Sequence, residues 1–257
     1  YSCAYFHNDN ISLDRAQIDK KYHLIKKLNI DKKNMKVLDI GSGWGGMALQ
    51  IAKDARAYVK GITLSKNQLE TSRKRAKQAN LNSLVDFELD DYRNINEKFD
   101  RIVSIGMFEH VGIKQYEVFF KKIKEILTDD GVMVLHSIGQ KHKAQETNPR
   151  IKKYIFPGGY IPSLSEVFSA TEKEGLWIND LEIWRLHYAS TLKHWRKNFN
   201  NNREKISQIL NEKFCRMWEF YLLLSEYSFR NMGNFVFQMQ ISKNLGSLPF
   251  TRNYIYN

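Results

Sequence analysis

Apolar residues recur at Ile18, Tyr22, Ile25 and Leu28, steps of three and four that predict an amphipathic helix over 14–29. The pattern then shortens to a strand at Lys36–Ile40. From there helical and extended segments alternate, with helices over 44–53 and 66–80 and strands over 57–63, 84–88 and 99–106. This β-α-β order needs crossover connections, so it predicts a parallel sheet with helices on both faces. A helix over 114–127 is expected to end in Thr128-Asp129-Asp130-Gly131, with the glycine as its stop, before a strand at Val132–His136. Between 139 and 176 the pattern loosens into Lys- and Gln-rich sequence and then aromatics beside turn formers, which reads as a lid. A strand over about 177–184, a long helical region over about 189–230 and a strand around 234–242 follow. Within the helical region Ile206, Ile209, Leu210, Phe214, Met217, Trp218, Tyr221 and Leu222 recur at three- and four-residue steps. That stripe is expected to be mostly core, with room for part of it to line a channel for a hydrocarbon chain.

The expected fold is α/β, a Rossmann-like, doubly wound and mostly parallel sheet. No Pro/Gly/Ser-rich linker divides the 257 residues, so 1–257 is one expected domain, with 139–176 and 185–232 as lid and site-lining segments. Cys3 and Cys215 match no disulfide or zinc spacing, so no metal is expected, and a reducing, cytoplasmic setting is the natural expectation. No apolar stretch approaches the roughly 20 residues that span a bilayer. The opening Tyr-Ser-Cys, without an initiator Met, reads as a trimmed start. Forty Lys and Arg against 28 Asp and Glu, net +12, favour anionic partners, either nucleic acid or acidic lipid headgroups. The sign alone does not choose between them.

The densest chemistry lies in Val-Leu-Asp-Ile-Gly-Ser-Gly-Trp-Gly-Gly at 37–46. Gly41, Gly43 and Gly46 fit the dinucleotide spacing, while Gly41, Gly43 and Gly45 fit the tighter spacing of S-adenosylmethionine (SAM) methyltransferases. Asp39 separates the two. Its carboxylate would repel a diphosphate at the turn and attract the ammonium and sulfonium of SAM. Nor does the second strand end in the Asp or Glu that grips an NAD ribose.

Four segments together resemble the cyclopropane fatty acid synthase family, which includes the mycolic acid cyclopropane synthases. They are Tyr1-Ser-Cys-Ala-Tyr5, the run at 37–46, Gly106-Met-Phe-Glu-His110 and Leu135-His-Ser-Ile-Gly139. Matches at Gly61–Gln68, Asp91–Arg93, Tyr154–Pro157 and Tyr188–Leu192 extend the resemblance over nearly the whole chain. It implies a class I methyltransferase fold and transfer of the SAM methyl group to a cis double bond in an acyl chain, followed by deprotonation and ring closure. The base implied is a bound bicarbonate, held by Cys3 and Ile138 through backbone groups and by the side chains of Glu109, His136 and Tyr188. The implied cofactor contacts are Tyr1, Ser2, Asp39, Gly41, Gly43, Trp44, Gly45, Thr63, Leu64, Gln68, Asp91 and Tyr92. Among these Thr63 and Gln68 would serve the ribose, Asp91 the adenine amino group and Tyr92 the ring face.

The implied partner is an unsaturated phospholipid in a membrane, an anionic surface favoured, at the inner face of the cytoplasmic membrane. The resemblance allows a homodimer. Two departures stand out. Where many relatives carry a Cys four residues before a late Phe-Arg pair, Ser225 precedes Phe229-Arg230. Bacterial lipid-modifying members also usually carry an N-terminal domain before the Tyr-Ser-Cys motif, so such a domain is expected to be missing here.

A nucleic-acid methyltransferase is disfavoured: Gly-Met-Phe-Glu-His stands where amino-methylating enzymes carry an Asn/Asp-Pro-Pro-aromatic motif, and no two of the four prolines are adjacent. Small-amine methylation, methyl branching of lipids and a catalytically silent SAM-binding module at a membrane surface stay open at this point.

Overall fold

The computed structural model describes residues 2–8, 10–142 and 149–256, except the side chain of Arg150. Tyr1, one of the implied cofactor contacts, lies outside the described residues, as does the part of the lid at 143–148.

Seven strands form one sheet in the order β3-β2-β1-β4-β5-β7-β6. β1 (Lys36–Ile40), β2 (Tyr58–Thr63), β3 (Val85–Leu89), β4 (Phe99–Ile105) and β5 (Leu127–Gln140) are parallel. β7 (Asn234–Ser242) inserts antiparallel between β5 and β6 (Trp177–Trp184). The doubly wound α/β expectation therefore holds. Because successive strand residues point to opposite faces, Val37, Val103 and Val134 enter one core cluster and Leu38, Ile102 and Met133 the other. The first is covered by α1 (Leu13–Leu28) and α2 (Gly46–Ala55), the second chiefly by α4 (Tyr116–Ile126) and α6 (Leu164–Lys173). β1 lies between β2 and β4, so the chain reverses its winding there and opens a crevice at the strands' carboxyl ends.

Four expectations need correction. The helix before β5 stops at Ile126, with Leu127 already extended (φ −73°, ψ 140°), and not at Gly131. Phe99 pairs with Leu127 and Arg101 with Val132, so Thr128–Gly131 forms a bulge within β5 rather than a helix stop. Next, the single long helical region is three helices: α7 (His187–Asn201), α8 (Arg203–Leu210) and α9 (Glu212–Asn231). Asparagines make the breaks. Asn211 takes a positive φ of 97°, and its side chain caps α9 by accepting the Phe214 amide at 3.0 Å.

The apolar stripe of this region is not mostly core. Of its eight positions only Leu222 is buried, and Ile209 and Leu210 are exposed. The buried seam of α9 is instead Cys215, Leu222 and Phe229, spaced by seven. Last, α1 does not bury the face its large apolar residues suggested. Ile18 and Tyr22 are exposed, while Ala16, Lys20, His23, Leu24, Lys27 and Leu28 are buried. Polar side chains can occupy that face because partners from β6 and the N-terminal segment meet them there. The lid carries two helices, α5 (Pro149–Tyr154) and α6, separated by an irregular aromatic segment; α3 (Lys66–Gln78) and α10 (Asn253–Tyr256) complete the set.

Candidate active site

The loop between β1 and α2 forms the floor of the crevice. Gly41, Gly43 and Gly45 all have positive φ (78°, 55° and 78°), a region that disfavours any Cβ. A Cβ on Gly41 would come within 2.9 Å of the Met107 side chain, and one on Gly45 within 2.7 Å of Phe87. The β1 loop and the β4 loop that carries Glu109 are thus in contact. At Gly43 a Cβ would meet nothing within 4 Å, so the middle of the turn faces open space.

Asp39, at the end of β1, is 2% exposed. The N-cap of α2 is Gly45, which has no side chain to offer; the Ala48 amide in the first turn donates instead to the Asp39 carboxylate. Its Oδ2 has no hydrogen-bond partner. Burial raises its pKa from the ordinary 3.8 to about 7, against the lowering effect of the Ala48 bond. A buried carboxylate with an unpaired oxygen beside a glycine turn fits a cationic ligand.

Other implied cofactor residues line the same ends of β1, β2 and β3. The Thr63 hydroxyl donates to Gln68 Oε1 at 2.7 Å, so the two residues are held together. Leu64 is highly exposed, and the Trp44 carbonyl accepts from Arg75 at 2.6 Å. Tyr92 packs edge-on against Phe119. The Asp91 carboxylate is already engaged: Arg93 reaches both oxygens, at 2.9 and 2.6 Å, and holds its pKa below the usual range. An adenine amino group there would have to share that carboxylate with Arg93. The Ser2 hydroxyl accepts from Lys20 Nζ at 2.7 Å and its carbonyl from Gln17 Nε2 at 2.8 Å.

Glu109 and Ile138 are directly bonded, while Cys3, Ile138 and Tyr188 share a core cluster whose Trp184 meets His136. Glu109 sits in a short 3-10 turn after β4, buried, with Oε1 accepting the Ile138 amide at 2.7 Å. Its Oε2 is buried without a partner, and burial raises its pKa. The Ile138 amide, expected to meet a ligand directly, is therefore occupied by Glu109. His136 lies two residues earlier on β5, 2% exposed, with Nδ1 3.0 Å from Gln238 Nε2. Burial, then the charges of Lys20 and Lys27, hold its pKa well below the usual range, so it is neutral. A Gln238 amide donating to Nδ1 leaves the imidazole proton on Nε2.

Cys3, Ile138 and Tyr188 share a third hydrophobic cluster, under α7 and α9, with Trp184 and Phe229. Trp184 also meets the His136 ring edge-on at 5.3 Å, and Phe229 stacks on Tyr188 at 4.7 Å. Cys3 is buried, and burial drives its thiol pKa up, so it is a neutral thiol. Across the top, the Tyr160 amide donates to the Glu109 carbonyl at 2.8 Å, stitching the lid to the β4 loop. Phe156 contacts His110 and Tyr221 edge-on, bridging lid and α9.

The arrangement offers a cation site at Asp39 and, in the direction of β5, one buried acceptor beside a neutral imidazole in largely apolar surroundings. Sequence reasoning missed Lys20, Gln17 and Gln238. For Lys20 the signal was the row Ala16, Lys20, Leu24, Leu28 at steps of four, which is the buried one.

A family model described as mycolic acid cyclopropane synthetase matches residues 1–239. The chain belongs to this family. It is 38% identical over 267 aligned positions to a "probable fatty acid methyltransferase" of Pseudomonas putida, covering 100% of this chain and 68% of that protein. To the cyclopropane-fatty-acyl-phospholipid synthase of Escherichia coli K12 it is 36% identical, covering 95% of this chain but only 62% of the relative's length. Among solved structures, the mycolic acid cyclopropane synthase CmaA1 complexed with SAH and CTAB superposes with a TM-score of 0.87 at 31% identity, covering 94% of this chain and 89% of that one. This cyclopropane synthetase family member is a SAM-dependent methyltransferase, and its sheet is the class I methyltransferase fold. No helix among its described residues is long and apolar enough to cross a membrane.

Proposed function

We propose that this enzyme methylates a cis double bond in the acyl chain of an unsaturated phospholipid and closes a cyclopropane ring, with bicarbonate as the base. SAM, when bound, supplies an electrophilic methyl group, and bicarbonate supplies a proton acceptor. The observation that carries the reading is the buried Glu109 carboxylate, fixed by the Ile138 amide and left with one unpaired oxygen. An alkene has no acidic proton to remove before attack, so the first step needs alignment and dryness rather than an activated Ser or Cys. Cys3 as a neutral thiol and Ser225 in place of a cysteine agree with that requirement. The cation that follows would be captured by water, which Trp184, Phe229 and the lid aromatics would keep out of the site.

Glu109, His136 and Tyr188 would hold the bicarbonate, the Glu109 carboxylate as hydrogen-bond acceptor and the His136 imidazole and Tyr188 hydroxyl as donors. Cys3 contributes its backbone, and the Ile138 amide acts through Glu109. The substrate would arrive from an anionic membrane surface by way of the lid, where Tyr154 is exposed next to Lys152 and Lys153. Lys153 lies 5.2 Å from the Tyr154 ring centroid.

The test is mass spectrometry of cis-unsaturated phospholipid vesicles after incubation with SAM, with and without bicarbonate, followed by ozonolysis of the product. Gain of one CH₂ together with loss of the ozone-sensitive bond, dependent on bicarbonate, is expected. Gain of CH₂ with a surviving alkene would instead establish methyl branching. No lipid product, with SAM bound, would refute both and move the search to small amines.

A further inference from the structure

We infer that Lys20 is the counter-charge of an anionic oxygen ligand held beside Ser2 and Cys3, either the carboxylate of SAM or the bicarbonate of the proposed base. The bicarbonate alternative rests on the proposed ring closure; the carboxylate alternative does not.

The charge balance of α1 points there. Its buried face carries three basic side chains, Lys20, His23 and Lys27. His23 and Lys27 share Glu182, at 2.7 Å from His23, and Lys27 also lies 3.9 Å from Asp180. Asp19, the acid next to Lys20 in sequence, is taken by Arg15 at 2.9 Å and approached by His7 at 3.5 Å. Lys20 itself is 6% exposed and forms no ion pair among the described residues. Among the described residues its one hydrogen bond goes to the neutral Ser2 hydroxyl, which satisfies a single donor of three.

A buried ammonium without a counter-ion is costly, and burial lowers the Lys20 pKa to about 8. The neighbouring Cys3 cannot compensate, because its own burial keeps the thiol protonated. Lys20 is also close enough for its charge to depress the His136 pKa, so its field reaches the implied base site. Gln17, one turn before, holds the Ser2 carbonyl and fixes the segment that Lys20 addresses. The missing partner is therefore an anion delivered with the ligands.

Lys20→Met in the full chain tests this, with Lys20→Gln as a second variant carrying the same expectations. Three quantities are measured: the melting temperature without ligands, the SAM dissociation constant by calorimetry, and the bicarbonate concentration for half-maximal turnover at saturating SAM. Removing an uncompensated buried charge should leave the ligand-free variant at least as stable as wild type. A SAM dissociation constant raised by about tenfold or more would identify the carboxylate; a comparable rise in the bicarbonate requirement alone would identify bicarbonate. Both constants within about twofold of wild type would overturn the inference, as would a lower melting temperature with both responses lost together. If wild-type turnover ignores bicarbonate, the ring-closure reading fails while the SAM calorimetry still decides the role of Lys20.

Discussion

Asp39→Asn should stabilise the ligand-free protein and weaken SAM binding at the same time. In the folded chain the Asp39 pKa is about 7, against 3.8 for an ordinary aspartate. At about 1.4 kcal/mol per pH unit, holding it ionised above pH 7 costs the fold roughly 4 kcal/mol as an upper bound. Because the folded pKa is the higher one, the native state binds more protons than the unfolded chain between these values. Stability from this residue is thus fully present below 3.8 and is lost as pH rises through about 7. Asparagine keeps an oxygen for the Ala48 amide but carries no charge, so a gain of roughly 1–3 kcal/mol is expected at pH 8, falling to less than half of that at pH 5 and toward zero below 3.8.

SAM reverses the balance. A cation beside the unpaired Oδ2 favours the ionised carboxylate, so wild-type affinity should rise as pH increases through about 7. A charge-assisted contact contributes roughly 1.5–3 kcal/mol, which predicts a weakening of about 10- to 150-fold in Asp39→Asn and a flat pH dependence. Urea unfolding at pH 5 and pH 8, with SAM calorimetry across the same range, measures both effects. A variant less stable than wild type at pH 8, binding SAM with unchanged affinity, would refute the reasoning: Asp39 would then be a helix cap and nothing more.

Glu109→Gln should retain SAM affinity and lose most turnover, since the amide cannot take a proton; near-normal turnover would make Glu109 structural. Burial raises the Glu109 pKa and turnover requires the carboxylate, so kcat should fall as pH drops through that raised value, and a pH profile with no acidic limb would contradict this. Phe229→Ala removes the ring stacked on Tyr188 and opens a cavity in the α9 seam, for a loss of roughly 3–5 kcal/mol by denaturant titration and a reduced kcat. Charge reversal at Lys152 and Lys153 should weaken binding to anionic vesicles more than SAM binding, with salt having the same effect on wild type; equal wild-type affinity for neutral and anionic vesicles at low salt would remove the membrane surface from the argument.

The parallel half of the sheet was legible because its strands are short apolar runs between helical periods, and β1, β6 and β7 fall where the pattern put them. The region after β6 was less legible because asparagines ended its helices, and neither glycine nor proline marks those breaks. Side-chain chemistry misled the reading of α1 more seriously. Lys, His and Lys at 20, 23 and 27 look like a solvated face, whereas Glu182 and Ser2, remote in sequence, bring that face inside. Motif residues fared differently according to whether their role depends on the backbone. Gly41 and Gly45 are tied to the turn by positive φ and close contacts. Asp91 shows the converse, since nothing in its motif says that Arg93 would occupy the carboxylate.

The two ends of the crevice have opposite electrostatic defects. Among the described residues, the Asp39 carboxylate at β1 lacks a cation and the Lys20 ammonium beside Ser2 lacks an anion. Asp39 and Lys20 do not neutralise each other, because each is committed to its own wall, Asp39 by the α2 amide and Lys20 by Ser2. A cationic group of SAM beside Asp39, with its carboxylate or a bicarbonate beside Lys20, would relieve both defects. Where both charges contact SAM and reinforce each other, the loss of SAM affinity in the double variant should be smaller than the sum of the losses in Asp39→Asn and Lys20→Met, and a double-mutant cycle reads that coupling. Unchanged SAM affinity in Lys20→Met, on either background, would instead assign Lys20 to bicarbonate.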